Sequence, residues 1–175
     1  MKIRKVAVGN SNEAFIEENF TNGVNIISSD DNNKGKTIMI QSMMYALGNE
    51  PTFPTSFEYQ NYYYYIEFEQ SGKIFRACRS GDGFVLKHES AVLIFDNVSE
   101  LKRYWNRNIF PLPAIVKNQL LRIVDPVLYI QIFFVGQDKK DTSNIANRGF
   151  YNKQDFIEML YAYACLLYTS DAADD

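Results

Sequence analysis

The residues best suited to a chemical task are those of "DDNNKGKT", residues 30–37. They fit the phosphate-binding pattern G-x-x-x-x-G-K-[ST], except that Asp30 replaces the first glycine. In such a loop, successive backbone N–H groups and the N-terminus of the following helix hold an anion. The spacing therefore predicts a site for a nucleoside triphosphate. The alternative is a chance "GKT" at the start of a helix.

The loop positions have predicted roles. We expect Lys36 to neutralise the β- and γ-phosphates and Thr37 to place its hydroxyl on Mg²⁺. Asp30 is compatible with the turn, since aspartate tolerates the positive φ of the first position. The carboxylates of Asp30 and Asp31 would lower anion affinity if they pointed inward, and Lys34 partly compensates for them. The predicted nucleotide-binding residues are Asn32, Asn33, Lys34, Gly35, Lys36, Thr37 and Ile38.

The segments on either side of this loop have to position it. "KIRKVAV" near the N-terminus alternates charged and apolar residues and predicts a strand, and "GVNII", residues 23–27, predicts a second, more buried strand. A helix is expected from Lys36 onward, with Gly48 as its stop. Its predicted apolar stripe consists of Ile40, Met43, Met44 and Leu47. Strand, loop and helix in this order form the context that a phosphate loop requires.

The middle of the chain has the pattern of antiparallel sheet. Strands are predicted in "YYYYIEFE", "KIFRACR", "FVLKHE" and "AVLIF", with the turns "QSG" and "SGDG" between the first three. A short helix is expected in "VSELKRYWNRNIF", with Ser99 as its cap. Residues 126–136, "PVLYIQIFFVG", have the continuous apolar character of an interior strand.

A final helix is predicted in "YNKQDFIEMLYAYA", residues 151–164. Asn152 is its expected N-cap, with Asp155 three residues further on. The spacing places four apolar side chains on one face of this helix: Phe156, Ile157, Leu160 and Tyr161.

Composition limits the class of protein. The chain has 175 residues, of which 46% are hydrophobic, and a formal net charge of -3, which is typical of a soluble globular domain. No apolar run reaches the roughly 20 residues that span a bilayer, and no secretion signal is recognisable. Two cysteines without metal-ligand spacing suit a reducing compartment. We therefore expect a cytoplasmic protein without a membrane partner.

The stretch "ENFTNGVNIISSDDNNKGKTIMIQSMMYALG" resembles the N-terminal ATPase lobe of the SMC/RecF/RecN group of ABC-type ATPases. That group commonly reads F-x-x-G-x-N-x-I-x-G-x-N-x-x-G-K-[ST]. The discriminating match is Asn32, because generic phosphate loops do not favour asparagine there. The other matches are Phe20, Gly23, Asn25, Ile27, Gly35, Lys36 and Thr37. The resemblance implies an α+β or α/β P-loop NTPase fold, an ABC-type lobe with antiparallel hairpins beside the P-loop helix, and ATP with Mg²⁺ as ligands.

The resemblance also implies a glutamine that contacts Mg²⁺ and the attacking water at the end of a buried strand. Gln137 is the expected residue, and Gln131 is its rival; a solvent-facing turn glutamine is the alternative. Lys36 and Gln137 are thus the predicted catalytic residues, and Thr37 and Gln137 the predicted metal ligands. The family's second acidic residue, general base and signature loop belong to its C-terminal half. Asp96 after "VLIF" superficially resembles such an acid, but a plain strand end is expected there.

The implied function is ATP binding in an SMC/RecN-like ATPase that acts on DNA, in repair, chromosome maintenance or phage defence. The full-length protein would dimerise through heads that sandwich ATP, with a nuclease or other subunit as a possible partner. Two alternatives are a nucleotide-gated clamp or sensor with little hydrolysis, and another P-loop enzyme such as a small-molecule kinase. The kinase is disfavoured because hairpins, rather than parallel α/β units, follow the first helix.

The end of the sequence has a different character. Residues 165–175, "CLLYTSDAADD", resemble the translation of a transposase adapter used in preparing sequencing libraries. We therefore expect residues 1–164 to be a partial SMC-like ATPase head and residues 165–175 to be an artefact. A partial head of this kind is expected to hydrolyse almost no ATP alone.

Overall fold

A computed structural model describes residues 1–28, 35–51, 53–130 and 153–171, without the side chains of residues 127 and 167–171. The chain divides into two compact units, Met1–Leu101 and Lys102–Asp175. The candidate phosphate loop belongs to the first unit. Each unit is described by itself below.

The first unit is built on a six-stranded sheet in the order β2-β1-β3-β4-β5-β6. All neighbouring strands pair antiparallel. The predicted first strand and the predicted hairpins are confirmed, whereas β2 was not predicted because its four residues are too short for a clear alternation. The strands are β1 Lys2–Gly9, β2 Ala14–Glu17, β3 Tyr63–Gln70, β4 Lys73–Ser80, β5 Gly83–His88 and β6 Ala91–Phe95.

One helix, α1, Lys36–Ala46, packs against β1, β3 and β4. The strands alternate, so that every second side chain points into the core beneath this helix. The buried apolar side chains of the sheet are Val6, Val8, Tyr64, Ile66, Phe68, Phe75, Ala77, Phe84 and Leu86. The helix covers one face of the sheet and is the element that positions the candidate loop.

The predicted helix is confirmed, but its predicted apolar stripe is mostly wrong. The side chains that α1 buries are Met39, Gln41, Ser42, Tyr45 and Ala46. The predicted Ile40, Met43 and Met44 are only half-buried, and Leu47, just after the helix, is buried. The prediction failed because α1 has apolar residues on two faces, and periodicity does not tell which of them meets the sheet.

The predicted strand at residues 23–27 is not formed. Val24 is 89% exposed and Ile26 is 85% exposed. A strand needs a neighbour that pairs with its backbone N–H and C=O groups, and no strand in the described part of the chain pairs with this segment. The apolar pattern therefore predicted a buried segment, whereas these side chains are exposed in this structure.

The described residues of the second unit form a two-stranded hairpin and helices. The boundary between the units falls within α2, Val98–Asn108, which is followed by β7 Ala114–Lys117, β8 Leu120–Ile123, α3 Pro126–Ile130 and α4 Lys153–Asp171. Its buried apolar side chains include Trp105, Leu112, Ile115, Leu128 and Met159. The ammonium of Lys117 at the end of β7 bonds the buried carboxylate of Asp155 in α4 at 2.6 Å.

Residues 126–130 form helix α3, so the predicted interior strand is wrong over this part. Pro126 suits the first helical position because its missing N–H has no partner there in any helix. The carbonyl of Asp125 accepts bonds from the N–H groups of Leu128 and Tyr129 at 3.0 and 3.2 Å. Residues 131–136 of the predicted strand lie outside the described residues.

The two other predicted helices are confirmed, with corrections to their details. The cap of α2 is Asn97, whose side-chain oxygen accepts a bond from the N–H of Glu100 at 3.0 Å, and not Ser99. Helix α4 buries Asp155 and Met159, whereas the predicted face includes Tyr161, which is 72% exposed. Of the rest of that face, Phe156 and Ile157 are half-buried and Leu160 is exposed. The expected cap Asn152 lies outside the described residues.

Candidate nucleotide-binding site

The candidate site opens at Gly35, which is the N-cap of α1 and has φ 76° and ψ 3°. This left-handed conformation is costly for any residue with a Cβ atom, although a Cβ at this position would meet no atom within 4 Å. Its carbonyl accepts the helical bond from the N–H of Met39 at 2.9 Å. The backbone conformation, rather than a lack of space, is therefore what favours glycine here.

The N-terminus of α1 has the electrostatic character of an anion site. Gly35 has no side chain that can cap the first N–H groups, and the first turn contains no acidic residue. Lys36, Thr37 and Ile38 are all half-exposed at this end of the helix. Helix N-termini have a partial positive charge, to which Lys36 adds a full one. The described residues thus bring together the positions expected to bind phosphate and Mg²⁺.

Several predicted site residues lie outside the described residues. They are Asp30, Asp31, Asn32, Asn33 and Lys34 of the loop, together with Gln137 and its rival Gln131. Their roles stay predictions. Asp96 directly follows β6, and its backbone N–H donates to the Glu100 carboxylate at 3.1 Å. That bond belongs to the start of α2 and agrees with the expected strand end.

The opposite end of α1 is closed by backbone hydrogen bonds. Gly48 has φ 92°, again in the left-handed region. Its N–H donates to the carbonyl of Tyr45, and the N–H of Asn49 donates to the carbonyl of Met44, both at 3.0 Å. This pattern is the Schellman motif, in which a left-handed glycine lets the last turn satisfy its own carbonyls. The predicted stop at Gly48 is confirmed.

Arg79 ties this C-terminal end to the sheet. Its side chain is 1% exposed and donates from Nη1 to the carbonyls of Tyr45 at 3.1 Å and Asn49 at 2.9 Å. Its Nε donates to the carbonyl of Gly81 at 2.9 Å, and its Nη2 pairs with the Glu50 carboxylate. The guanidinium also lies 3.6 Å from the centre of the Tyr45 ring, a favourable cation–π distance.

Sequence reasoning missed Arg79, although a signal for it exists. In "KIFRACR" the inward positions of the strand are Phe75 and Ala77, and Arg79 continues their alternation. An arginine at a core position must find several acceptors, because a buried guanidinium without partners is costly. The carbonyls at the end of a helix are such acceptors and also favour positive charge.

Aromatic rings complete the support of α1. The Tyr45 ring packs edge-on against Tyr64, with centroids 4.8 Å apart, and against Phe53 and Tyr59. The Tyr64 hydroxyl donates to the carbonyl of Tyr59 at 2.6 Å, and the Tyr45 hydroxyl donates to that of Gly81 at 3.0 Å. Burial raises the pKa of both tyrosines, so both hydroxyls stay protonated donors at neutral pH.

Among the described helices, none has both the length and the apolar character that crossing a membrane requires. In the described part of the chain, no group of three or more His, Cys, Asp or Glu side chains is placed to hold a metal ion.

Comparison with known proteins reveals a distant relative. No protein-family model matches the chain. The chain is 27% identical over 128 residues to the Lamassu protein LmuB of Bacillus cereus strain VD014. The match covers 72% of this chain but 22% of LmuB, so the chain spans about a fifth of the length of that curated relative. This weak similarity is compatible with the SMC-like relationship expected from the loop.

Proposed function

We propose that this chain is the ATP-binding N-terminal part of an SMC-like ATPase that acts on DNA. ATP and Mg²⁺ would bind at the start of α1, with Lys36 on the β- and γ-phosphates and Thr37 on the metal. Gln137 would orient the attacking water and contact Mg²⁺. Hydrolysis would require the rest of the protein and a second head. DNA repair, chromosome maintenance and phage defence are the processes in which such an ATPase would act.

The observation that carries this proposal is the placement of Gly35, Lys36 and Thr37 at the first turn of α1. A left-handed glycine followed by lysine and a hydroxyl residue at a helix start is the arrangement that a phosphate loop needs. The order of "N-x-x-G-K-T" residues and the distant similarity to LmuB both support an SMC-like rather than a generic loop.

Two apolar surfaces that are not fully buried support the view that other parts of the full-length protein pack against this chain. Val24 and Ile26 are almost fully exposed, and the outer face of α1 presents half-buried Ile40, Met43 and Met44. Helix α1 has apolar residues on two faces, and an apolar helix face is normally packed against other structure. We infer that a second layer packs on this side of α1 in the full-length protein, and that catalytic residues arrive with that layer.

The test is ATP binding by the full-length protein. Lys36→Ala is expected to weaken binding of ATP with Mg²⁺ by about 10- to 100-fold, because a charged hydrogen bond contributes about 1.5–3 kcal/mol. The matched control is Lys73→Ala, an exposed lysine at the start of β4, which should leave the affinity unchanged. Equal affinities of Lys36→Ala and wild type, measured by calorimetry, would contradict the proposal.

A second measurement concerns the 175-residue chain alone. Its ATP turnover should not exceed that of its own Lys36→Ala variant, since the second acid and the signature loop are expected elsewhere. Turnover well above that variant would show that the proposed architecture is wrong.

A second candidate function is a nucleotide-gated clamp or sensor with little hydrolysis. The observation that favours it is Asp30, which replaces the first glycine of the loop and whose carboxylate would lower anion affinity if it pointed inward. In the full-length protein, Asp30→Gly would then tighten ATP binding, while turnover stays at background in both forms. Measurable turnover by wild type favours the ATPase. The kinase has less support, because the strands after α1 pair antiparallel.

A further inference from the structure

Two polar side chains are buried in the middle of α1. Gln41 is 5% exposed and Ser42 is 1% exposed. In the described part of the chain, neither the Oε1 atom of Gln41 nor the Oγ atom of Ser42 has a hydrogen-bond partner. A buried polar atom without a partner is costly, and such atoms are therefore rare in folded proteins. The packing of the described residues alone does not account for either side chain.

The position of Gln41 along α1 relates it to Thr37, the proposed Mg²⁺ ligand. Residues four apart in a helix lie on the same face, with Cβ atoms about 5–6 Å apart, so Gln41 lies one turn behind Thr37. Helical side chains lean toward the N-terminus of their own helix. The long side chain of Gln41 therefore extends toward the turn that contains Thr37, and its amide is a buried polar group next to the proposed site.

Ser42 does not have this relation to Thr37. With 3.6 residues per turn, Ser42 lies about 140° around the helix from Thr37 and about 100° from Gln41. Its direction falls between those of Tyr45 and Ala46, in the middle of the buried face of α1. Ser42 thus shares with Gln41 a buried oxygen without a partner among the described residues, but it does not lie beside Thr37. This makes Ser42 a matched control for Gln41.

The chemistry of a threonine ligand calls for an acceptor in this position. A threonine hydroxyl that binds a metal ion through its oxygen still has a hydrogen to donate. An acceptor for that hydrogen fixes the orientation of the ligand, and such outer partners typically contribute about 10- to 100-fold to metal affinity. The amide oxygen of Gln41 can accept this hydrogen without adding a charge. Threonine occupies two χ1 rotamers in helices, so a rotation of the side chain can direct the hydroxyl to Gln41.

We propose that Gln41 is a positioning residue for Thr37, whose hydroxyl donates to Gln41 Oε1 when Thr37 binds Mg²⁺ together with a nucleotide. This inference rests on the proposed ATP site and adds a residue to it. It explains why a buried amide oxygen without a partner among the described residues lies one turn behind the predicted metal ligand. Formation of the bond removes the cost of the unpaired oxygen, so it favours the complex with Mg²⁺.

Unfolding of the chain without nucleotide tests whether the oxygen of Gln41 is unpaired. Gln41→Met keeps the length and approximate volume of the side chain but removes the amide. Gln41→Met and the control Ser42→Ala should both raise the denaturant midpoint, because each removes a buried oxygen that has no partner. A lower midpoint for Gln41→Met would show that the amide is already bonded, for example to a water molecule, and would overturn the proposal.

Nucleotide affinity of the full-length protein tests the link to Thr37. Gln41→Met should weaken binding of ATP with Mg²⁺ by about 10-fold and leave binding of ATP in EDTA unchanged, because Gln41 acts through the metal ligand. Ser42→Ala should leave both affinities unchanged. In a Thr37→Val background, Gln41→Met should cause no further loss, because its partner is already absent. An unchanged affinity of Gln41→Met, an equal loss in EDTA, or a full further loss in the double variant would overturn the proposal.

Lys36→Ala separates this proposal from the proposed function. If Lys36→Ala weakens ATP binding and Gln41→Met does not, the ATP site stands and only the role of Gln41 is wrong. If Lys36→Ala leaves ATP binding unchanged, the ATP site itself is wrong, and the role of Gln41 is wrong with it.

Discussion

The two ends of α1 are held in opposite ways. At its C-terminal end, Arg79 and a left-handed Gly48 satisfy the last carbonyls, and the Tyr45 ring packs into an aromatic cluster. At its N-terminal end, the cap is Gly35, which has no side chain, and no acidic residue occupies the first turn. The sheet therefore anchors the helix at one end, while the chemistry of the other end suits an anion.

This difference teaches how a helix start can be positioned without a side-chain cap of its own. A side-chain cap such as aspartate at the N-terminus would satisfy the N–H groups that a phosphate needs. Rigid attachment at the far end, about 16 Å away for 11 residues, fixes the helix axis instead. The anchoring residues and the proposed binding residues are thus separate sets, and substitutions should affect them separately.

The largest expected effect on stability comes from a substitution of Arg79, which anchors the C-terminal end of α1. Arg79→Met should lower the free energy of unfolding by about 3–5 kcal/mol, because it leaves the buried carbonyls of Tyr45 and Asn49 without their donor. Denaturant unfolding of the chain measures this. The control is Arg76→Met, which removes a half-exposed arginine paired with Glu67 at 2.7 Å and should cost about 0–1 kcal/mol. Equal losses in the two variants would show that Arg79 is not the anchor.

Local sequence patterns predicted much of the first unit. The features that they did not predict depend on contacts between residues far apart in sequence. The hairpins were predictable because turn residues and alternation lie within a few residues of each other. The failed strand at residues 23–27 depends on a neighbour that the described residues do not supply. The buried face of α1 and the role of Arg79 depend on contacts about 30 residues apart in sequence, such as that between Arg79 and Asn49.

A smaller effect is expected at the N-terminal end of α1. Gly35→Ala should lower the free energy of unfolding by about 1–2 kcal/mol, since alanine is strained at φ 76° even though its Cβ has space. The same variant of the full-length protein should bind ATP less tightly, because the loop loses its backbone conformation. Gly23→Ala is the control: its Cβ also meets no atom within 4 Å, and no positive φ is involved, so stability should not fall.

The candidate site was predictable only as a pattern of residue types. "GKT" predicted a glycine before a helix start, and Gly35 does cap α1 in a left-handed conformation. The residue that distinguishes an SMC-like loop, Asn32, and the predicted Gln137 both lie outside the described residues. Their assignment comes from resemblance, because a single asparagine or glutamine carries little information by itself.

The smallest effect is expected at the N-terminus of α2, which provides a reference for a helix start with a side-chain cap. α2 begins with a conventional cap, in which the Asn97 side chain accepts the N–H of Glu100 at 3.0 Å. Asn97→Ala should lower the free energy of unfolding by about 1 kcal/mol, and Ser99→Ala, one residue inside the helix, by much less. If both variants unfold at the same denaturant midpoint as wild type, the helix start does not depend on its cap.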